Sequence, residues 1–457
     1  MKRRPNLKNF FYLVGSGLII QLAGTCYRIW LARRVGAEGL GILGMVYPVY
    51  RLLSGMATIG LPMALIKWIS EYSIVGDYRR IHELRNRATR IVSVTSVSIV
   101  MLLLVATPFL ARSVYSDFRV KEALFMVALA IPFSALSSIY RGYFQGLSNM
   151  APTASSEIGE QFIEISTSVL LISICAGMLP ISNFSVPVLG LAVGEIACLT
   201  TLLIFFRRRR PGAEPPADDP AVSLPQREIL RFSWPLLLNQ IVTSISVASE
   251  GIIIPYFLIQ AGVPVFQSTG LFGKLTGMAE PVAYFPLIFL SPLATVLSPQ
   301  VSSAVKTRDF RKVHRKIALF YAIALVICCT TFGFIMCCAP LLSKALYNDL
   351  SPVPLIRLSV IGLPFTGVVI LNLTLLAAVG KTEKILFLTL WATGLKTCLL
   401  VFLTPLMGIH GAAWSFTVTQ IFIALASWAE LRQAWPETGL KNVPKWLRPF
   451  RFLKQLP

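Results

Sequence analysis

Apolar runs of about 20 residues recur along almost the whole chain, each long enough to cross a bilayer as an α-helix. This feature limits the fold more than any other. A segment in hydrocarbon must satisfy its own backbone N–H and C=O groups, and a helix does so within one segment. Twelve runs are expected, at roughly 10–32, 41–66, 91–111, 122–140, 153–177, 185–206, 231–257, 275–299, 317–340, 353–379, 385–406 and 411–431. The chain therefore reads as an all-α polytopic membrane protein of twelve transmembrane helices. Only 14% of its residues are charged, against about 25% in a soluble domain. The first run is too long for the apolar part of a signal peptide. Arg28, Arg33 and Arg34 stand where a small-residue cleavage site would be, so it is expected to remain as the first span.

The sequence also repeats itself. Residues 270–314 match residues 39–82, with Gly39-Leu40 against Gly270-Leu271, Leu61-Pro62-Met63-Ala64 against Ser291-Pro292-Leu293-Ala294, and Asp77-Tyr78-Arg79-Arg80-Ile81-His82 against Asp309-Phe310-Arg311-Lys312-Val313-His314. The register drifts only between 230 and 232 residues, about half the chain. Two like halves in a membrane protein point to a transporter whose site lies between them. The boundary is legible at 207–226, where four arginines precede a Pro-rich, acidic linker. The expected division is 1–206 as a six-helix lobe, 207–226 as a cytoplasmic linker, 227–432 as a second six-helix lobe and 433–457 as a basic amphipathic tail. The basic stretches 71–90 and 302–316 are each expected to form a short interfacial helix.

The net charge of +21 would suggest nucleic acid in a soluble protein. Its distribution excludes that reading. With the N-terminus inside, cytoplasmic segments hold 31 of the 42 Lys and Arg, so the positive-inside rule places both termini in the cytoplasm. The partners expected of the basic loops are membrane lipids. All eight Cys fall in apolar runs without metal-ligand spacing and read as small buried hydrophobes. Gly380-Lys381-Thr382 ends like a phosphate-binding loop, but Leu375 occupies the place of the required first glycine. No catalytic signature and no metal site is found, and a cofactor is not expected.

The informative residues are charges within spans, each costing on the order of 2.5–3.5 kcal/mol on insertion scales unless a cavity or partner receives it. Arg51 lies about ten residues into the second run, near mid-membrane. Lys274 starts the eighth run and Arg28 lies in the outer part of the first. These three, with Glu250 and Glu280 in the seventh and eighth runs, are the candidate cavity residues. Glu157, Glu160 and Glu164 are spaced to share one helix face, and Glu195 is deep in the sixth run. Two uses are open for this acidic face: binding a coupling cation, or a structural network with Arg141 or Lys396.

Two stretches carry a resemblance. RRVGAEGLGILGMVYPVYRLLSGMATIGLPMALIKWISEY, from Arg33, and RGYFQGLSNMAPTASSEIGEQ, at 141–161, resemble the stage V sporulation protein B family of polysaccharide biosynthesis proteins. That family is similar to the lipid II flippases and to the multidrug and toxic compound extrusion transporters. The resemblance implies a MATE-like flippase fold of two pseudo-symmetric six-helix lobes, a central cavity lined by spans 1, 2, 7 and 8, and alternating access. Arg51, three residues after Pro48, resembles the second-span arginine of the lipid II flippases; their eighth-span arginine has no clear match, and Lys274 is the nearest cation.

The function expected is a flippase for an undecaprenyl-pyrophosphate-linked cell-wall precursor in the bacterial cytoplasmic membrane, acting as a monomer. A cationic cavity suits a pyrophosphate through charge-assisted hydrogen bonds. Transport would draw on a coupling cation or the membrane potential. The alternative is a cation-coupled multidrug antiporter, which the acidic face favours. A polytopic glycosyltransferase would need a large outer loop bearing acids or bases, and the outer loops here are short.

Overall fold

The computed structural model describes residues 7–174, 182–208, 226–290, 297, 301 and 310–437. Every element among the described residues is helical. Of the expected linker, 207–226, residues 207–208 end one helix and 226 begins the next, while 209–225 lie outside the described residues; of the expected tail, 433–457, residues 433–437 continue the last helix and 438–457 lie outside the described residues.

The first helix, α1 (Leu7–Thr58), has 52 residues, roughly 78 Å at 1.5 Å per residue. That is more than twice a hydrocarbon core of about 30 Å. It is two spans joined at Gly36, whose backbone (φ 69°, ψ −172°) is open only to glycine. The second expected run, 41–66, does not continue unbroken. Ile59 and Gly60 both take positive φ, ending α1, and α2 (Leu61–Val75) restarts with Pro62 in its first turn. The break frees α1 carbonyls, and the Thr95 hydroxyl donates to that of Ala57 at 2.6 Å.

A left-handed Gly76 closes α2. Asp77 then caps α3 (Tyr78–Phe109), its carboxylate accepting from the Arg80 N–H at 3.1 Å. The interfacial helix expected at 71–90 is therefore not separate. Its first residues end α2, and the rest form the opening turns of α3, because the cap starts a helix that nothing interrupts. A π-helical turn, Leu110–Val114, extends α3. Next come α4 (Val120–Gly146), α5 (Ala151–Ile174), α6 (Val186–Arg208), α7 (Gln226–Gln260) and α8 (Val265–Gly273). A second π turn at Lys274–Ala279 leads into α9 (Glu280–Tyr284). Then follow α10 (Phe310–Tyr347), α11 (Val353–Val360), α12 (Leu363–Ala378), α13 (Thr382–Met407) and α14 (Ile409–Glu437). The second stretch expected as an interfacial helix, 302–316, is described only from Phe310, where it opens the long α10.

Among the described residues eight helices are long and apolar enough to cross a membrane, or nine if α11 and α12, bent by 42°, form one span. Two expected spans escape such a count for physical reasons: α1 contains two in one helix, and α5 carries three glutamates in 24 residues. The eighth expected run, 275–299, is described mainly to residue 290.

The chain forms two compact units. The first comprises Met1–Met278 with Leu346–Asn348. At its centre is α4, on which Val120, Ala123, Leu124, Val127, Ala130 and Ile131 are fully buried. Lipid tails are as apolar as Leu, so close packing and polar contacts hold membrane helices together rather than water exclusion. The small residues of this unit act accordingly. A Cβ on Gly142 would lie 2.9 Å from the Pro62 carbonyl oxygen, seating α4 on α2. One on Gly41 would lie 2.0 Å from the Thr269 carbonyl oxygen, and one on Gly273 would lie 1.9 Å from that of Ala37. This backbone-to-backbone contact of α1 with α8 places residues up to Met278 in the first unit, past the sequence midpoint at 207–226. The outer face of α3, with Val94, Val97, Met101, Leu102, Val105 and Phe109 exposed, is an apolar surface for lipid.

The second unit comprises Ala279–Ala345 with Asp349–Pro457. Polar contacts tie its helices: Tyr321 of α10 hydrogen-bonds Asn372 of α12, and the Asn372 amide donates to Ser427 of α14 at 2.9 Å. Lys384 of α13 pairs with Glu430 of α14.

Candidate functional site

The acids of α5 and α6 meet because two glycines allow it. A Cβ on Gly190 would lie 2.0 Å from the Ser168 hydroxyl, and one on Gly194 would lie 2.9 Å from the Glu160 carbonyl oxygen. With nothing between the backbones, α6 lies directly on the face of α5 that bears Glu157, Glu160 and Glu164, and Glu195 follows Gly194. From α4, Arg141 reaches this seam. Its guanidinium lies 3.6 Å from Glu157, 3.8 Å from Glu160 and 4.0 Å from Glu195. Tyr50, buried on the second half of α1, donates its hydroxyl to Glu195 and lies 2.8 Å from the Ser134 hydroxyl.

The cluster is partly satisfied. Oε2 of Glu160 and Oε2 of Glu195 are buried without a hydrogen-bond partner. Cys198 stands one turn beyond Glu195, and the ligand atoms of Glu160, Glu195 and Cys198 lie within 4.8 Å of one another. Two carboxylates and a thiol this close together form a donor set able to hold a cation. Glu164 sits one turn along α5 from Glu160, within electrostatic reach of Arg28.

Arg141 also lines a cavity of about 410 Å³, together with Thr58, Pro62, Met63, Ser138, Gln145 and Gln240. Gln240 comes from α7 and packs on Gly55, where a Cβ would lie 2.5 Å from its amide nitrogen. Arg141 thus belongs both to the acid cluster and to the wall of a cavity.

The remaining candidates are dispersed. Arg28 and Arg51 are exposed side chains on the two halves of α1, and neither makes a hydrogen bond or ion pair among the described residues. Glu250 is buried on α7, and Glu280 opens α9 in the second unit. Lys274 begins the π turn after α8 and lines a second cavity of about 510 Å³. Lys396 of α13 lies over the Phe416 ring at 5.8 Å, within the second unit. Tyr50, Ser134, Cys198 and Gln240 were not singled out from the sequence. Tyr50 adjoins Arg51 and Cys198 follows Glu195 by three, which are weak signals; Gln240 carries none.

The comparisons with known proteins agree with this architecture. Stage V sporulation protein B of Bacillus subtilis (strain 168) is 27% identical over 324 residues, covering 69% of this chain and 62% of that protein. The lipid II flippase MurJ of the same organism is 23% identical over 329 residues, covering 68% and 60%. The chain therefore matches about three fifths of the length of these two relatives. An inward-facing multidrug resistance MATE family transporter of the MOP superfamily superposes with a TM-score of 0.76 at 16% identity, over 93% of this chain and 96% of that one. This multi-pass, all-helical chain belongs to the polysaccharide biosynthesis protein family, whose model matches residues 6–305.

Proposed function

We propose that this protein is a flippase that moves a polyprenyl-pyrophosphate-linked cell-wall precursor across the bacterial cytoplasmic membrane, with no catalytic step. The observation that carries the reading is the pair Arg28 and Arg51. Both lie within apolar spans, both are exposed, and neither has an ion-pair partner among the described residues. A guanidinium without an ion-pair partner at that depth needs water or an anionic ligand, and its planar fork matches a phosphate better than an ammonium does. The resemblance to a lipid II flippase supports the choice of substrate class. Alternating access is part of the proposal, as are a monomeric state and an orientation with both termini cytoplasmic.

The acid cluster supplies the coupling. Arg141 faces Glu157, Glu160 and Glu195, with Glu164 one turn beyond, so a fully ionised cluster carries a negative excess among half-buried and buried groups. Burying uncompensated charge is costly. A proton or small cation bound there removes the excess, and its binding and release would drive the cycle.

The test is translocation of a fluorescent lipid-linked glycan in vesicles containing the purified protein. Arg51→Ala should reduce the rate at least 10-fold at normal abundance, and Arg51→Lys should keep part of it. Wild-type rates in a well-folded Arg51→Ala protein would reject the cationic cavity. Cation-coupled export of a lipophilic cationic dye by that same variant would instead establish the multidrug antiporter, which the acid cluster favours.

A further inference from the structure

Lys274 lines a cavity within the first unit. Its wall comes from the α1 break (Val35 to Glu38), from Phe184 ahead of α6, and from α8 and the π turn (Phe266 to Lys274). At about 510 Å³ it falls within the range of small-molecule sites, roughly 300–1,000 Å³.

Two acids and two cations stand around it. Arg119, from the connection between α3 and α4, lies 2.7 Å from Glu38 and 2.8 Å from Asp117. Asp117 also accepts from the Thr269 hydroxyl at 3.0 Å. Burial acts to raise the Asp117 carboxyl, but the hydrogen bonds and charge of Arg119 outweigh it and hold the group below the usual carboxylate range. Glu38 and Asp117 therefore share one guanidinium. The same guanidinium lies over the rings of Phe184 at 5.6 Å and Phe266 at 4.3 Å, which fixes both aromatics at the cavity wall. Lys274 has no ion-pair partner among the described residues. It stands at the start of a π-helical turn, a distortion frequent at functional sites.

Apolar ring faces, a carboxylate and an amide (Glu38, Gln267), and one ammonium without an ion-pair partner make a definite recognition chemistry. The ring faces suit the C–H face of a sugar, Glu38 and Gln267 suit its hydroxyls, and Lys274 suits a single negative charge. We propose that this cavity binds an acidic saccharide, with the sugar ring against Phe184 and Phe266 and its carboxylate or phosphate on Lys274. The inference rests on the flippase reading: the cavity lies at the end that the charge distribution assigns to the outer face, where the glycan of a lipid-linked substrate would arrive.

Calorimetric titration of the full-length protein in lipid nanodiscs tests the proposal, with N-acetylmuramic acid, its neutral counterpart N-acetylglucosamine, and inorganic phosphate as probes. N-acetylmuramic acid should bind about 10-fold more tightly than N-acetylglucosamine, and phosphate alone should bind more weakly than either. Lys274→Gln should abolish the preference while keeping the neutral sugar, and Phe266→Ala should weaken both sugars. No sugar binding, an unchanged preference in Lys274→Gln, or phosphate binding as tight as that of the acidic sugar would each overturn it. Translocation of a lipid-linked glycan is measured on the same preparation. Translocation without sugar binding rejects this subsite and leaves the flippase standing; sugar binding without translocation does the reverse.

Discussion

Arg141 and Arg51 carry the same charge in unlike surroundings, and their variants should fail differently. Arg141 compensates several acids at once. Removing one partner of a buried charge cluster costs about 3–5 kcal/mol. Arg141→Ala should therefore lower the thermal midpoint of the purified protein, and removal of Glu157 and Glu160 in the same chain should restore most of it. Arg51 compensates nothing among the described residues, so Arg51→Ala should leave the midpoint within the scatter of ordinary surface changes, about 0.5 kcal/mol. Equal loss of stability in both would mean that Arg51 is structural. Glu164→Gln should leave binding of the lipid-linked headgroup intact, because a carboxylate repels pyrophosphate and this one lies with the acid cluster; loss of headgroup binding in a folded protein would contradict that placement. Arg51 was readable as a buried-span charge from its depth in an apolar run. Its lack of partners was not, since pairing depends on which helices adjoin it.

At the scale of elements, small residues decide the seams. Gly190→Val would drive a side chain into Ser168, and Gly194→Val into the Glu160 backbone. Either should separate α5 from α6, pulling Glu195 from Arg141 and Tyr50. The expected result is loss of transport together with faster proteolysis between α5 and α6; unchanged transport would show that the seam does not hold the cluster. The connection between α3 and α4 has its own pH dependence. Asp117 is held below the usual carboxylate range, so its contribution to stability is complete above the unfolded value of about 3.9 and is lost only as pH falls through the lower folded value. Thermal midpoints of Asp117→Asn and wild type should differ at pH 7 and converge only in strong acid. Convergence already at pH 5 would contradict the arrangement. In sequence, Asp117, Arg119, Glu38 and Thr269 are scattered polar residues with no shared spacing, which is why this cluster was missed.

The orientation belongs to the whole molecule. On the proposed orientation, argued from the bias of Lys and Arg toward alternate loops, residue 217 is expected inside the cell. Ala217→Cys should resist an impermeant thiol reagent in intact cells, in a chain whose other cysteines are replaced, and label after permeabilisation. Labelling of intact cells would reverse the topology.

What the sequence determined by itself is what one helix at a time requires: the apolar runs, the helical class, the repeat, and the residue identities that resemble one family. Each follows from local solvation, because a span must be apolar and internally hydrogen-bonded wherever it sits. The helix ends were less legible. The stop at Ile59–Gly60 and the merger of 78–90 into α3 turn on positive φ angles and a cap, which weigh less in the sequence than a run of apolar side chains. Only the tertiary structure decided which charges meet. Arg141 joins acids 16 to 54 residues away, while Lys274 faces Phe184 and Glu38 across even longer separations. Such contacts are set by how closely helices approach. That distance is fixed by glycines whose effect exists only when the opposing backbone is present.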